Sequence, residues 1–164
     1  MKQIAKKIGV VLALALIVIQ FFRPEKNITT QPATTHISKL YTVPADVEQI
    51  LVNACYDCHS NNTVYPWYSN IQPVAWWLAD HVKDGKKHLN FDTYTTYNLR
   101  RQYHKMEEVV EQVEANEMPM KSYKLAHSNA RLTDAQKQLL INWANSVMNT
   151  MKAQYPIDSL VKKR

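Results

Sequence analysis

Apolar positions along this chain recur at intervals of three and four, which is the period of a helix rather than a strand. Val47, Ile50, Leu51, Ala54 and Cys58 fall on one face, so a helix beginning at Pro44 or Ala45 is predicted to carry its apolar stripe into residues 55–59. Thr133-Asp134-Ala135-Gln136 has the form of a capping box, and Leu139, Leu140, Trp143, Ala144 and Val147 then repeat on a single face. Between these two, a helix is predicted over residues 73–83, opened by Pro73 and closed by Gly85. Another is predicted over residues 104–115, with Met106, Val109, Val110 and Val113 turned inward. No alternating pattern of comparable length competes and no internal repeat is visible. The expected class is therefore all-α.

A different pattern opens the chain. Lys2, Lys6 and Lys7 precede an apolar run over residues 8–22 broken only by Gln20, the layout of an export signal. Gln20-Phe21-Phe22-Arg23-Pro24 puts bulky side chains where signal cleavage needs small ones, so an uncleaved signal anchor is expected over residues 1–23. At 1.5 Å per residue the run reaches about 22 Å against a hydrocarbon layer of ~30 Å, with Ile4, Ala5 and snorkelling lysines extending it. As a transmembrane helix it would leave the N-terminus in the cytoplasm. The rest of a single-pass inner (cytoplasmic) membrane protein would then face the periplasm. Residues 24–43, rich in Thr, Ser, Asn and Pro, read as a flexible linker. Residues 44–150 are long enough for one domain with its own core, and residues 151–164 form a basic tail.

Charge adds little to this picture. The formal net charge is +6 over 164 residues, which at first suggests a nucleic-acid partner. Its distribution does not: residues 1–40 hold six Lys and Arg against one acid, whereas residues 41–150 hold ten against twelve. The excess lies at the two ends, where a membrane surface is the expected partner. Nucleic acid is not indicated.

The chemistry is concentrated at Cys55-Tyr56-Asp57-Cys58-His59, which contains the only two cysteines of the chain. Cys-x-x-Cys-His is the attachment signature of c-type haem. One helical turn brings Cys55 and Cys58 to the same side, so that each thiol can add across one haem vinyl group. His59, next in line, supplies the proximal imidazole to the iron. Other readings fit less well. A thioredoxin-like pair needs a βαβ setting, and this one sits between helix and polar loop. Structural zinc needs two more ligands, and His81 and His88 stand six residues apart, outside the usual spacing. A plain disulfide or two buried thiols is the remaining alternative. The cofactor expected is a single covalent haem c with its iron.

With these segments in view the chain resembles the c-type cytochrome superfamily, and more closely the small membrane-anchored haem-binding-domain proteins of Bacteroidota-type bacteria. The likeness covers most of residues 43–148. It rests on Val43-Pro44-Ala45-Asp46-Val47, the motif with Ser60-Asn61-Asn62-Thr63 after it, and Tyr65-Pro66-Trp67-Tyr68-Ser69. Pro73-Val74-Ala75-Trp76-Trp77, His88-Leu89-Asn90-Phe91 and Glu117-Met118-Pro119-Met120 complete it. The resemblance implies a cytochrome c-like fold with N- and C-terminal helices crossing beside the haem. It supplies no redox partner.

Met118, followed by proline in a loop between helices, looks like the distal-ligand loop of cytochromes c, and proline holds the residue before it extended. Met120 is the alternative distal ligand, and His81, His88, His104 and His127 are the histidine candidates. Tyr65, Trp67, Tyr68, Trp76 and Trp77 either wall a haem edge or fill the core, with core packing expected for at least half of them. Gln72 and Asn70 are possible propionate partners, while Tyr56 and Asp57 are expected to be exposed. The functional expectation is an electron carrier rather than a catalyst. The alternative is a haem-based sensor of diatomic ligands or a peroxidase-like protein.

Overall fold

The computed structural model describes residues 1–162. It is helical throughout, with no strand among the described residues. Helix α1 covers Lys2–Ile19 and has no buried residue. Its apolar character was expected, but its span corrects the expectation of a transmembrane helix. Lys2, Lys6 and Lys7 occupy its first two turns, and the uncharged remainder over residues 8–19 reaches only about 18 Å at 1.5 Å per residue. No helix among the described residues is long and apolar enough to cross a membrane. The single-pass inner-membrane placement depends on such a helix and is not supported.

The end of α1 is tied to the rest of the molecule. Gln20 and Gln72 exchange two bonds, Gln20 Nε2 to Gln72 O at 3.2 Å and Gln72 N to Gln20 Oε1 at 2.9 Å. The Phe22 carbonyl accepts from Gln72 Nε2 and from Trp76 Nε1, both at 2.8 Å. Residues 24–43, expected as a linker, are held at several points: Ile37 is fully buried and Tyr41 nearly so.

Helix α2 (Ala45–Ala54) follows, with Val47, Ile50, Leu51 and Ala54 buried as its period requires. A short turn α3 (Tyr56–His59) then leads through a polar loop to α4 (Val74–His88). This helix continues through Gly85 and so passes the predicted stop. A Cβ on Gly85 would lie 2.6 Å from the Cys58 carbonyl oxygen, so the residue serves close approach of α4 to α3 rather than chain termination. Helix α5 (Leu99–Glu114) is capped by Asn98 Oδ1, which accepts from Arg101 N at 2.9 Å, and it ends where Asn116 takes φ of 58°. Asparagine tolerates that left-handed conformation and so can end a helix. After α6 (Lys121–Ala126), helix α7 (Asp134–Gln154) starts with both bonds of the predicted capping box. Helix α8 (Ile157–Leu160) closes the described chain.

The core forms where α5 and α7 pack on each other, with α2 across α7 and α8 against α5. Met106, Tyr103 and Val113 meet Leu140, Trp143, Ala144, Val147 and Met151, and Leu51, Phe91, Tyr94 and Leu160 seal the edges. Each such side chain, fully buried, stabilises the fold by about 1.5–3 kcal/mol before entropy is charged. Met151 and Leu160 lie in the region expected as a basic tail, so its first part belongs to the core. Lys163 and Arg164 lie outside the described residues.

Candidate functional site

Helix α2 cannot run on past Ala54, because Cys55 adopts φ −129° and ψ −46°. The Cys55 carbonyl then accepts from both Cys58 N (3.2 Å) and His59 N (2.9 Å), closing the turn of α3. Cys55, Cys58 and His59 are thereby fixed on one short element, both thiols free and partly buried. Helix α4 lies against this turn, admitted by Gly85.

The end of α4 fixes the histidine. Leu89 leaves the helix in an extended conformation, and its carbonyl accepts from His59 Nδ1 at 2.9 Å. A carbonyl only accepts, so Nδ1 carries the proton and Nε2 keeps its lone pair in the neutral ring. Burial lowers the His59 pKa, opposed by the carbonyls of Leu89 and Gly85, and nearby His88 and Lys105 lower it further. A neutral imidazole held at Nδ1 is the form that ligates a metal. Burial also pushes the Cys55 thiol up to about 12, with Cys58 adding to it, and the Cys58 thiol up to about 11, with Asp57 adding to it. In the closed fold both cysteines are protonated thiols.

The variable residues of the motif are not the exposed positions expected. Tyr56 packs edge-on to Phe91, donates to Glu48 Oε2 at 2.9 Å and lies 3.3 Å from His36 Nε2. Asp57 accepts from Val64 N at 2.9 Å and from the Tyr123 hydroxyl at 2.7 Å, while its carbonyl accepts from Thr63 Oγ1. Tyr123 stands on α6, the helix that follows Met118-Pro119-Met120, and His127 stacks on its ring at 4.0 Å. The Asp57–Tyr123 bond thus joins the cysteine turn to the methionine loop. No sequence pattern marked it, since the partners are 66 residues apart.

In that loop Met118 is 36% exposed and Met120 caps α6, partly buried. The Met118 and Glu117 amides both donate to Gln112 O, folding the loop back on α5. His81 bonds the Trp77 carbonyl, His104 pairs with Glu107 and Glu108, and His88 is exposed at the end of α4. The tryptophans correct the expectation of core packing: Trp67, Trp76 and Trp77 are all exposed, while Phe91, Tyr94 and Trp143 fill the interior. Gln72 is buried and committed to Phe22 and Trp76, and Asn70 accepts from Lys26.

The donor set fits haem. Among the described residues no three His, Cys, Asp or Glu side chains converge as a chelate for a bare metal ion. Two thiols for vinyl groups and one imidazole for iron need no such convergence. In comparisons with known proteins, a family model described as a haem-binding domain matches residues 14–146. That span takes in the end of α1, all of α2 to α6 and the first part of α7. No curated protein and no solved structure matches.

Proposed function

Since the chain belongs to the haem-binding domain family and is a haem protein, we propose that it is a c-type cytochrome carrying one covalent haem and passing single electrons to and from a redox partner protein. The observation that carries this reading is the turn of α3, which presents Cys55, Cys58 and His59 together with His59 Nδ1 held on the Leu89 carbonyl. Cys55 and Cys58 would form the thioethers and His59 Nε2 the proximal bond. Bound haem supplies an iron that takes up and releases one electron between its ferric and ferrous states. The chain's own part is to hold the imidazole neutral and oriented, and to offer a second ligand. Met118 is the proposed distal ligand and Met120 its alternative, in the loop that the Asp57–Tyr123 bond links to the motif.

The test is protein produced with a cytochrome maturation system, followed by denaturing electrophoresis with haem staining and intact mass. One haem per chain that survives denaturation is expected, and Cys55→Ala with Cys58→Ala should abolish it. Haem that is bound but lost on denaturation would leave a haem protein and end the covalent reading. For the distal side, Met118→Ala should speed carbon monoxide binding to the ferrous protein and lower the reduction potential. Met120→Ala should do neither. Rapid carbon monoxide binding by the unaltered protein would instead mean an open site and a sensor or peroxidase role.

A further inference from the structure

A cavity of about 510 Å³ opens beside the loop that follows the cysteine motif, between α4 and residues 25–29. Its size is in the range that accepts small-molecule ligands. Cys55, Cys58 and His59 do not line it. Three lysines do, Lys26, Lys83 and Lys86, against one acid, Glu25. Among the described residues none of the three is ion-paired with a carboxylate. Lys86 Nζ gives one bond to Asn27 Oδ1 at 2.5 Å, and Lys26 Nζ gives one to Asn70 Oδ1 at 2.9 Å while lying 5.2 Å from the Tyr65 ring centre. Each ammonium has three protons to give, so both keep donors in hand. Lys83 and Lys86 stand one turn apart on α4, where like charges repel. An anion between them removes that repulsion and takes up the spare donors.

We infer that this cavity binds a small oxyanion, a carboxylate or phosphate group, recognised by Lys26, Lys83 and Lys86. The group is carried either by a free metabolite or by the carboxylate side chains of haem. The frame is built before the ligand arrives. Asn27 is fixed by its backbone N–H on the Tyr65 hydroxyl at 2.8 Å and by its side-chain amide on the Ser60 carbonyl and Thr63 hydroxyl. It holds Lys86 toward the cavity in turn. The inference does not depend on covalent haem, since it uses none of the residues of that reading.

The full chain, with and without haem, is titrated with inorganic phosphate and with succinate by calorimetry. Saturable binding is expected, weakened about tenfold or more by Lys83→Gln, the loss of one charge-assisted contact. Lys87→Gln, the same charge change on the same helix outside the cavity lining, should leave affinity within about twofold. Saturable binding in both forms identifies a free anion as the ligand. Binding confined to the haem-free chain identifies the haem carboxylates. Absence of saturation in both forms, or an equal effect of the two variants, overturns the proposal, because the charge would then act only as a diffuse field. Should Lys83→Gln fail to fold, Lys26→Gln carries the same test from the facing wall.

Discussion

Position 85 sets helix propensity against packing, and the distances decide which wins. Alanine in place of glycine favours a helix interior by about 1 kcal/mol. At Gly85 the added methyl would meet the Cys58 carbonyl oxygen at 2.6 Å and the Cys58 Cβ at 3.0 Å. The first of these is backbone, so relief requires moving the whole turn of α3, and overpacking of that kind costs about 1–3 kcal/mol. Gly85→Ala is therefore expected to lower stability to urea by about 1 kcal/mol net. Gly9→Ala in α1, with nothing within 4 Å of the new methyl, should be neutral or slightly stabilising. An unchanged midpoint for Gly85→Ala would mean that α3 yields freely. A glycine in an otherwise helical stretch reads equally as a stop or as a point of close contact, and only the partner helix distinguishes them. The histidine clamp was hidden for a related reason: its partner is the Leu89 carbonyl, and a carbonyl leaves no mark in residue type.

At the scale of elements, legibility followed locality. The start of α7 is written within four consecutive residues, and both bonds are present, Gln136 N to Thr133 Oγ1 at 3.2 Å and Thr133 N to Gln136 Oε1 at 2.9 Å. Thr133→Ala removes the first and should cost about 1 kcal/mol in urea denaturation, with Thr133→Ser recovering most of it. A loss below a few tenths would show that water replaces the cap at no expense. The cysteine turn was legible for the same reason, as a contiguous five-residue signature. Helices α6 and α8 were not. Each is six residues or fewer, too short to persist on its own propensity, so they exist because Tyr123 reaches Asp57 and Leu160 enters the core. In α1 the apolar run was legible, but the three lysines that curtail its uncharged length decided what the run can do.

Across the whole molecule, residues 24–43 illustrate how composition misleads. A polar segment with few apolar residues looks like a tether, yet Ile37 is at 0% exposure and Asn27 joins three parts of the fold. Its side chain bonds Ser60 and Thr63 and receives Lys86. Asn27→Ala should cost about 1–3 kcal/mol, because truncation leaves partly buried partners unsatisfied. A midpoint equal to that of the unaltered protein would return this segment to the role of a loose connector. The bond from Trp143 Nε1 to the Thr42 carbonyl, at 3.1 Å, spans 101 residues of chain and has a consequence for biosynthesis. A chain emerging from the ribosome cannot close its interior until α7 has appeared, long after Cys55 and Cys58 have. During that interval the core on which Cys55 packs is incomplete, so its thiol lacks part of the burial that later makes it hard to ionise. If thioethers are made, the order of events follows: attachment comes first, on an open chain, and docking of α7 then seals the product.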